Sequence, residues 1–227
     1  MSLYVFSDPH LSLGTDKPMG VFSGWDDYEN RIRKSWTRLV GPEDSVMIPG
    51  DISWAMKIEE ALPDLKFLDS LPGHKYMFKG NHDFWYPTKS KLNAFLEQEK
   101  ITTITTLYHE AVLVEGKALC GTRSWFYDED NPDEKVFKRE LMRLEMALKD
   151  AASKEADEII CFLHYPPIYK GRRIDGVIEL LQKYGVRRCY YGHIHGDSIQ
   201  YAFNGEYGGI QFRLVSADAL GFAPLKI

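Results

Sequence analysis

Asp, Asn and His recur in five short clusters along the 227 residues: Asp8-Pro9-His10, Gly50-Asp51, Gly80-Asn81-His82-Asp83, His164 and Gly192-His193-Ile194-His195. Five of the seven histidines fall in this set. Carboxylate and amide oxygens mixed with imidazole nitrogens suit manganese, iron, zinc or similar ions. Taken singly, a strand-end Asp or His is ordinarily a cap or a hydrogen-bonded turn residue. Gathered together, so many polar groups would be costly to bury without a cation. Each cluster follows a β-like run, where a strand would end and a loop begin. In open α/β sheets ligands bind beyond the carboxyl ends of strands, so residues distant in sequence can converge there. Gly50, Gly80 and Gly192 each stand immediately before a candidate ligand or ligand pair, where a missing Cβ lets backbones turn sharply and approach a crowded site.

The ordered set Asp-x-His, Gly-Asp, Gly-Asn-His-Asp, His and Gly-His-x-His resembles the calcineurin-like metallophosphoesterase superfamily, and it spans Asp8 to His195. The resemblance implies a four-layer α/β/β/α sandwich with mixed sheets, whose strand-end loops hold two divalent or trivalent metal ions, with Mn, Fe and Zn all open. It implies that Asp8, His10 and His195 bind the first metal and Asn81, His164 and His193 the second, with the Asp51 carboxylate bridging both. Asn81 and His82 would meet the substrate, His82 at the scissile phosphate or the leaving group. The implied reaction is hydrolysis of a phosphate ester: paired cations clamp the phosphate oxygens and lower the pKa of a bound water, and the resulting hydroxide attacks phosphorus. Asp51 and His82 are the expected catalytic residues.

Two positions depart from the protein-phosphatase branch of that superfamily. Where that branch has an Asp that orients the catalytic His and then a phosphate-binding Arg, this chain has Trp54 and Ala55. Protein phosphatase activity is therefore in doubt, and His82 needs another orienting partner. Asp83 or a backbone carbonyl could serve, and Asp83 reads equally well as a loop cap. Aromatic residues crowd the same loops: Trp54, Phe84, Trp85, Tyr86, Trp125, Phe126, Tyr127 and Tyr165. Such rings either stack on a substrate base or aryl group or simply pack; Trp54, Trp85 and Trp125 are the leading candidates for substrate contact. Among the cations, Arg123 is the candidate phosphate contact, since a planar guanidinium matches two oxygens at once. Lys170, Arg172 and Arg173 read more simply as solvated. His74 and His109 read as structural.

These residues need a scaffold of alternating elements. Short β-rich runs bounded by turn residues occur at Leu3 to Phe6, Ser45 to Ile48, Tyr76 to Phe78, Ala118 to Cys120, Ile159 to Leu163 and Arg188 to Tyr191. Between them, apolar residues at threes and fours predict helices over Tyr28 to Val40, Ile58 to Leu68, Lys89 to Gln98, Glu134 to Ala152 and Gly176 to Lys183. That alternation implies an α/β fold. The chain then reads as a terminal hairpin, Ile199 to Phe203 and Tyr207 to Val215 about an Asn204-Gly205 turn, so a mixed sheet is expected. The polar run Tyr127 to Glu134 reads as a loop and helix start. No long linker or repeat interrupts the pattern, so a single domain over 1–227 is expected.

Composition is that of an ordinary globular chain, with 44% hydrophobic and 27% charged residues, and suggests neither a disordered tail nor a fibrous repeat. A net charge of -5 opposes general nucleic-acid binding, so nucleic acid enters only as a possible substrate. The three cysteines, Cys120, Cys161 and Cys189, lie in apolar runs without metal-type spacing and read as buried strand residues of a cytoplasmic protein. The N-terminal run has neither a basic leader nor a long apolar stretch, so no membrane partner is expected. A small-molecule phosphodiesterase is the favoured activity, ahead of a metal-dependent nuclease, a nucleotide pyrophosphatase, or a non-catalytic metal-binding scaffold. The scaffold is disfavoured because every expected ligand and His82 are intact. Oligomeric state is left open.

Overall fold

A computed structural model describes residues 1–124 and 134–227. Trp125, Phe126, Tyr127 and the acidic run up to Asp133 lie outside the described residues. The first sheet holds β1 (Leu3–Val5), β2 (Ser45–Ile48), β3 (His74–Met77) and β4 (Ile104–Thr106), all parallel, with the C-terminal strand β13 (Leu225–Lys226) antiparallel to β1, in the order β13-β1-β2-β3-β4. The second has the order β11-β12-β10-β7-β6-β5, built from β5 (Val112–Val114), β6 (Lys117–Thr122), β7 (Glu158–Leu163), β10 (Arg188–Tyr191), β11 (Gly205–Tyr207) and β12 (Ile210–Leu214). Its centre is parallel and both its edge strands are antiparallel, so both sheets are mixed. A two-stranded ribbon, β8 (Ile168–Tyr169) with β9 (Arg172–Arg173), lies outside them.

Three apolar clusters define four layers. Tyr4, Phe6, Val46 and Ile48 face one way, onto α1 (Tyr28–Leu39), α2 (Leu62–Ser70) and α3 (Lys89–Gln98) through Ile32, Trp36, Leu65, Leu68 and Leu92. The alternate residues Leu3, Val5 and Met47 face the other sheet's Leu119, Ile160, Phe162 and Tyr190. From the far face of that second sheet, Cys120, Cys161, Leu163, Cys189 and Tyr191 pack on α4 (Glu134–Ala152) and α5 (Asp175–Lys183) through Leu144, Leu148, Val177 and Leu181. This is an α/β/β/α sandwich. Strands buried on both faces need apolar residues at every position, which is why they read as continuous runs rather than alternating ones. Cys120, Cys161 and Cys189 are direct cross-strand neighbours, buried and unpaired. Among the described residues no helix is long and apolar enough to cross a membrane.

Two sequence expectations need correction. The helix expected from Ile58 begins at Leu62, because Pro63, lacking an N–H, belongs in a helix's first turn. The hairpin turn is Gly208-Gly209, both with positive φ (61° and 80°), which joins β11 to β12. Two consecutive left-handed residues match the right-handed twist of a hairpin, and glycine takes them without strain. Asn204-Gly205 is not that turn: the Leu214 amide donates to Asn204 Oδ1 at 2.8 Å. Gly196–Tyr201, which takes in part of the expected first arm, is 3₁₀-helical.

Candidate metal centre

All the clusters lie just past strand ends. Asp8 and His10 follow β1, Asp51 follows β2, Asn81 and His82 follow β3, His164 directly follows β7, and His193 and His195 follow β10. Parallel pairing brings those ends to one edge of the sandwich, and the loops continue the zipper beyond the strands. Asp8 and His10 amides donate to the Gly50 and Asp51 carbonyls at 3.1 and 3.0 Å, and Leu11 to Ile52 at 2.9 Å. Asp8, His10, Asp51 and His193 hold positive φ, at 56°, 45°, 49° and 70°. Non-glycine residues rarely adopt that region, and strain of this kind gathers where a side chain must be aimed. Glycine clears the space: a Cβ on Gly80 would collide with the Asp51 carboxylate, and one on Gly192 with the Asp8 carboxylate.

Two groups of donors result, Asp8 with His10 and His195, and Asp51 with His164 and His193, each within 4.8 Å of one another. In the first, His10 and His195 point Nε2 at Nε2 across 3.3 Å, with Asp8 Oδ1 3.5 Å from His195 Nε2. In the second, His164 Nε2 lies 2.6 Å from Asn81 Oδ1 and 3.4 Å from Asp51 Oδ2. Asp51 Oδ2 is also 3.7 Å from His10 Nε2, so one carboxylate stands between both groups. Asp8, His10, Asp51 and His164 are buried, whereas Asn81, His82, His193 and His195 are only partly covered, which leaves the centre open on one side. Asp8 Oδ2 is buried without a hydrogen-bond partner among the described residues, a cost that a nearby cation offsets.

The electrostatics are those of a crowded donor set. Burial disfavours charge on His10 and pulls its pKa down to about 4 against the Asp51 carboxylate. His193 falls to about 4 through burial and the neighbouring His164. His195 goes the other way: burial opposes its charge, but bonds to Asp218 and Asp8 lift it to about 10. Burial pushes the Asp51 pKa up, but the charge and hydrogen bond of His164, the largest of the opposing effects, help hold the carboxyl below its usual range. His10 and His193 are therefore neutral beside ionised carboxylates, as metal ligands must be, whereas His195 holds a proton that a cation would displace.

Further side chains fix the donors. Asp218, which no sequence motif marks, accepts from His195 Nδ1 at 2.8 Å, the Gly196 amide at 2.8 Å and the Ala219 amide at 3.0 Å. A carboxylate on the outer nitrogen of a ligating histidine sets its tautomer and orientation. Trp25, also unmarked in the sequence, packs edge-on against His10 and His195 at 6.0 and 5.7 Å. Asp64 binds Ser53 Oγ and the Leu13 amide, tying the loops that follow Asp51 and His10.

Asp83 proves to be a latch. It accepts from the Ile52, Ser53 and Gly80 amides and from Trp85 Nε1 at 2.8 to 3.1 Å, which engages both its oxygens in loop structure. His82 is placed instead through its own amide, which donates to Asp51 Oδ1 at 2.8 Å, and by Trp54, whose ring lies 4.5 Å away. Trp54 also stacks on His10 at 4.9 Å and 19°. Tyr165 packs on His193 at 4.4 Å. Trp85 and Tyr86 are core residues, so Trp85 is not an open pocket wall. His74 bonds Thr105 Oγ1 at 2.8 Å, as a structural histidine does. Arg123 lies beside Glu140, its Nη2 3.7 Å from Oε1, and Lys170 lies over the Tyr169 and Tyr201 rings.

A family model for calcineurin-like phosphoesterases matches residues 1–197. The chain belongs to that family. It is a metallophosphoesterase, a hydrolase of phosphoric esters, and its two donor groups provide for the two metal ions that such enzymes bind. Solved structures share the metallophosphoesterase fold at low identity. A protein of unknown function, AQ665 from Aquifex aeolicus, is 17% identical with a TM-score of 0.53, over 99% of this chain and 95% of that one. The phosphopantetheinyl hydrolase of Mycobacterium tuberculosis is 14% identical with a TM-score of 0.53, over 100% and 95%. TT1561 of Thermus thermophilus is 14% identical with a TM-score of 0.54, over 85% and 81%. No curated protein matches the chain.

Proposed function

We propose that this metallophosphoesterase hydrolyses small phosphodiesters. Asp8, His10 and His195 hold one metal, Asn81, His164 and His193 the other, and Asp51 serves both. The observation that carries this assignment is the Asp51 carboxylate, within 3.4 to 3.7 Å of a histidine from each donor group. When bound, metals of the Mn, Fe or Zn type supply charge compensation to phosphate oxygens and lower the pKa of water. The chain's own residues do the rest. Asp51 holds the His82 loop through its amide contact, and the His82 ring, 5.7 Å from that of His10, hydrogen-bonds or protonates the departing oxygen. Trp54 keeps the His10 and His82 rings in place and shields one side from water.

The diester preference rests on charge. Among the described residues the donors are packed by rings, Trp25, Trp54, Tyr165 and His82, and held by the Asp218 carboxylate, and Ala55 stands where the protein-phosphatase branch has an arginine. A singly charged diester needs less cationic support than a doubly charged monoester. A cytoplasmic setting belongs to the same reading, in keeping with three buried, unpaired cysteines.

The test compares bis-p-nitrophenyl phosphate with p-nitrophenyl phosphate on Mn-loaded wild type and Asp51→Asn. Preference for the diester, lost in the variant, is expected. Preference for the monoester would move the substrate class to phosphorylated metabolites, and no metal-dependent turnover of either would count against the reading as a whole.

A further inference from the structure

Beside the metal centre lies a second cavity of about 360 Å³, at the small end of the range for ligand pockets. Its lining adjoins the loops that carry the donors. Lys79 leads directly into Gly80 and Asn81, and Tyr86 ends the loop that carries His82. On the other side Thr122 and Arg123 accept through their carbonyls from the His164 and Tyr165 amides, at 3.2 and 3.0 Å.

The lining is rich in charge. Among the described residues it carries three cations, Lys79, Arg123 and Arg143, and one carboxylate, Glu140. Glu140 is only 3% exposed and is already engaged, with Arg143 Nη1 at 2.5 Å and Arg123 Nη2 at 3.7 Å. Lys79 is partly buried and its ammonium has no salt-bridge or hydrogen-bond partner among the described residues. At the same wall His109 Nδ1 is buried without a partner among the described residues. A half-buried ammonium with no such partner, on a wall where an imidazole nitrogen is also unpartnered among the described residues, favours an incoming anion, because charge-assisted hydrogen bonds strengthen where water is excluded.

We propose that this cavity is a second anion subsite, which takes a phosphate or carboxylate carried on the other arm of the ester whose phosphorus sits at the metal centre. The inference rests on the phosphodiesterase reading and narrows it to diesters with an additional acidic group. Lys79 is the recognising cation; Glu140 keeps Arg123 and Arg143 in place.

Two p-nitrophenyl phosphodiesters that differ only in the second arm, propyl or 2-carboxyethyl, test this on the Mn-loaded full chain. Wild type is expected to favour the carboxyethyl ester about tenfold in kcat/KM, the effect of one charge-assisted hydrogen bond. Lys79→Met should bring the ratio to about one, and Lys79→Arg should restore it. A ratio near one in wild type, or one that Lys79→Met leaves unchanged, would overturn the subsite. Equilibrium dialysis with inorganic phosphate separates this result from the diester reading, because it needs no turnover. Wild type should bind two phosphates per chain and Lys79→Met one; one in wild type, or two in the variant, would overturn the subsite even where hydrolysis of the propyl ester upholds the phosphodiesterase.

Discussion

Removing Asp218 tests whether the outer contacts of this centre set its metal affinity. In Asp218→Ala, His195 Nδ1 loses its 2.8 Å acceptor, and the Gly196 and Ala219 amides lose theirs at 2.8 and 3.0 Å. The ring is then freer to change tautomer or turn, restrained by packing on Trp25 and His10 and by Asp8 Oδ1, 3.5 Å from its Nε2. Losing the outer partner of a ligating histidine typically weakens metal binding about 10- to 100-fold, or about 1.4 to 2.7 kcal/mol. The His195 side chain is 26% exposed, so water can replace part of the lost bond, and the effect belongs near tenfold. Calorimetric titration with Mn should show one of the two sites weakened, the one containing Asp8, His10 and His195, while the Asp51, Asn81, His164 and His193 site is kept. Asp218→Asn, which retains an acceptor oxygen, should recover part of the loss. Unchanged affinities in the Ala variant, or equal weakening of both sites, would refute the argument.

His82→Ala should keep two metals per chain, measured by elemental analysis, while lowering kcat by about 100-fold or more, as loss of a proton-transfer group does; loss of a metal would make His82 a ligand instead. Lys75 supplies a pH test remote from the centre. It is fully buried, its Nζ donates to the Leu71 and Gly73 carbonyls at 2.6 and 2.8 Å, and burial lowers its pKa from 10.5 to about 8. Between those two values the unfolded chain holds more of this proton than the folded one, so stability rises with pH through that window, by about 3 kcal/mol in all. Thermal unfolding of wild type against Lys75→Met from pH 8 to 10.5 should show that relative gain, and a flat difference would show that folding does not perturb the group.

Much of the architecture is legible in the chain itself. Continuous apolar runs mark β2, β7 and β10 because both faces of those strands are buried, and polar clusters stand out where each run stops. The glycines before Asp51, Asn81 and His193 announce close approach, and a Cβ on Gly80 or Gly192 would indeed run into the Asp51 or Asp8 carboxylate. The runs that misled were those whose outcome depends on one residue's backbone: Pro63 moved the start of α2, and the Gly208-Gly209 pair took the hairpin turn from Asn204-Gly205.

Tertiary structure alone decided what each polar residue faces. Asp83 and Asp218 are both single acidic residues in loops, yet Asp83 engages its oxygens with loop donors while Asp218 holds His195. Trp54 and Trp85 are both loop tryptophans, and only Trp54 reaches His10. Asp218 follows β12 and His195 the strand beside it, more than twenty residues earlier, and parallel pairing of β10 with β12 brings them together. Residue type and spacing determine which groups can bind a metal, because donor chemistry is local; which of them share one, and what orients them, depends on strand order and register, which no short stretch of sequence encodes.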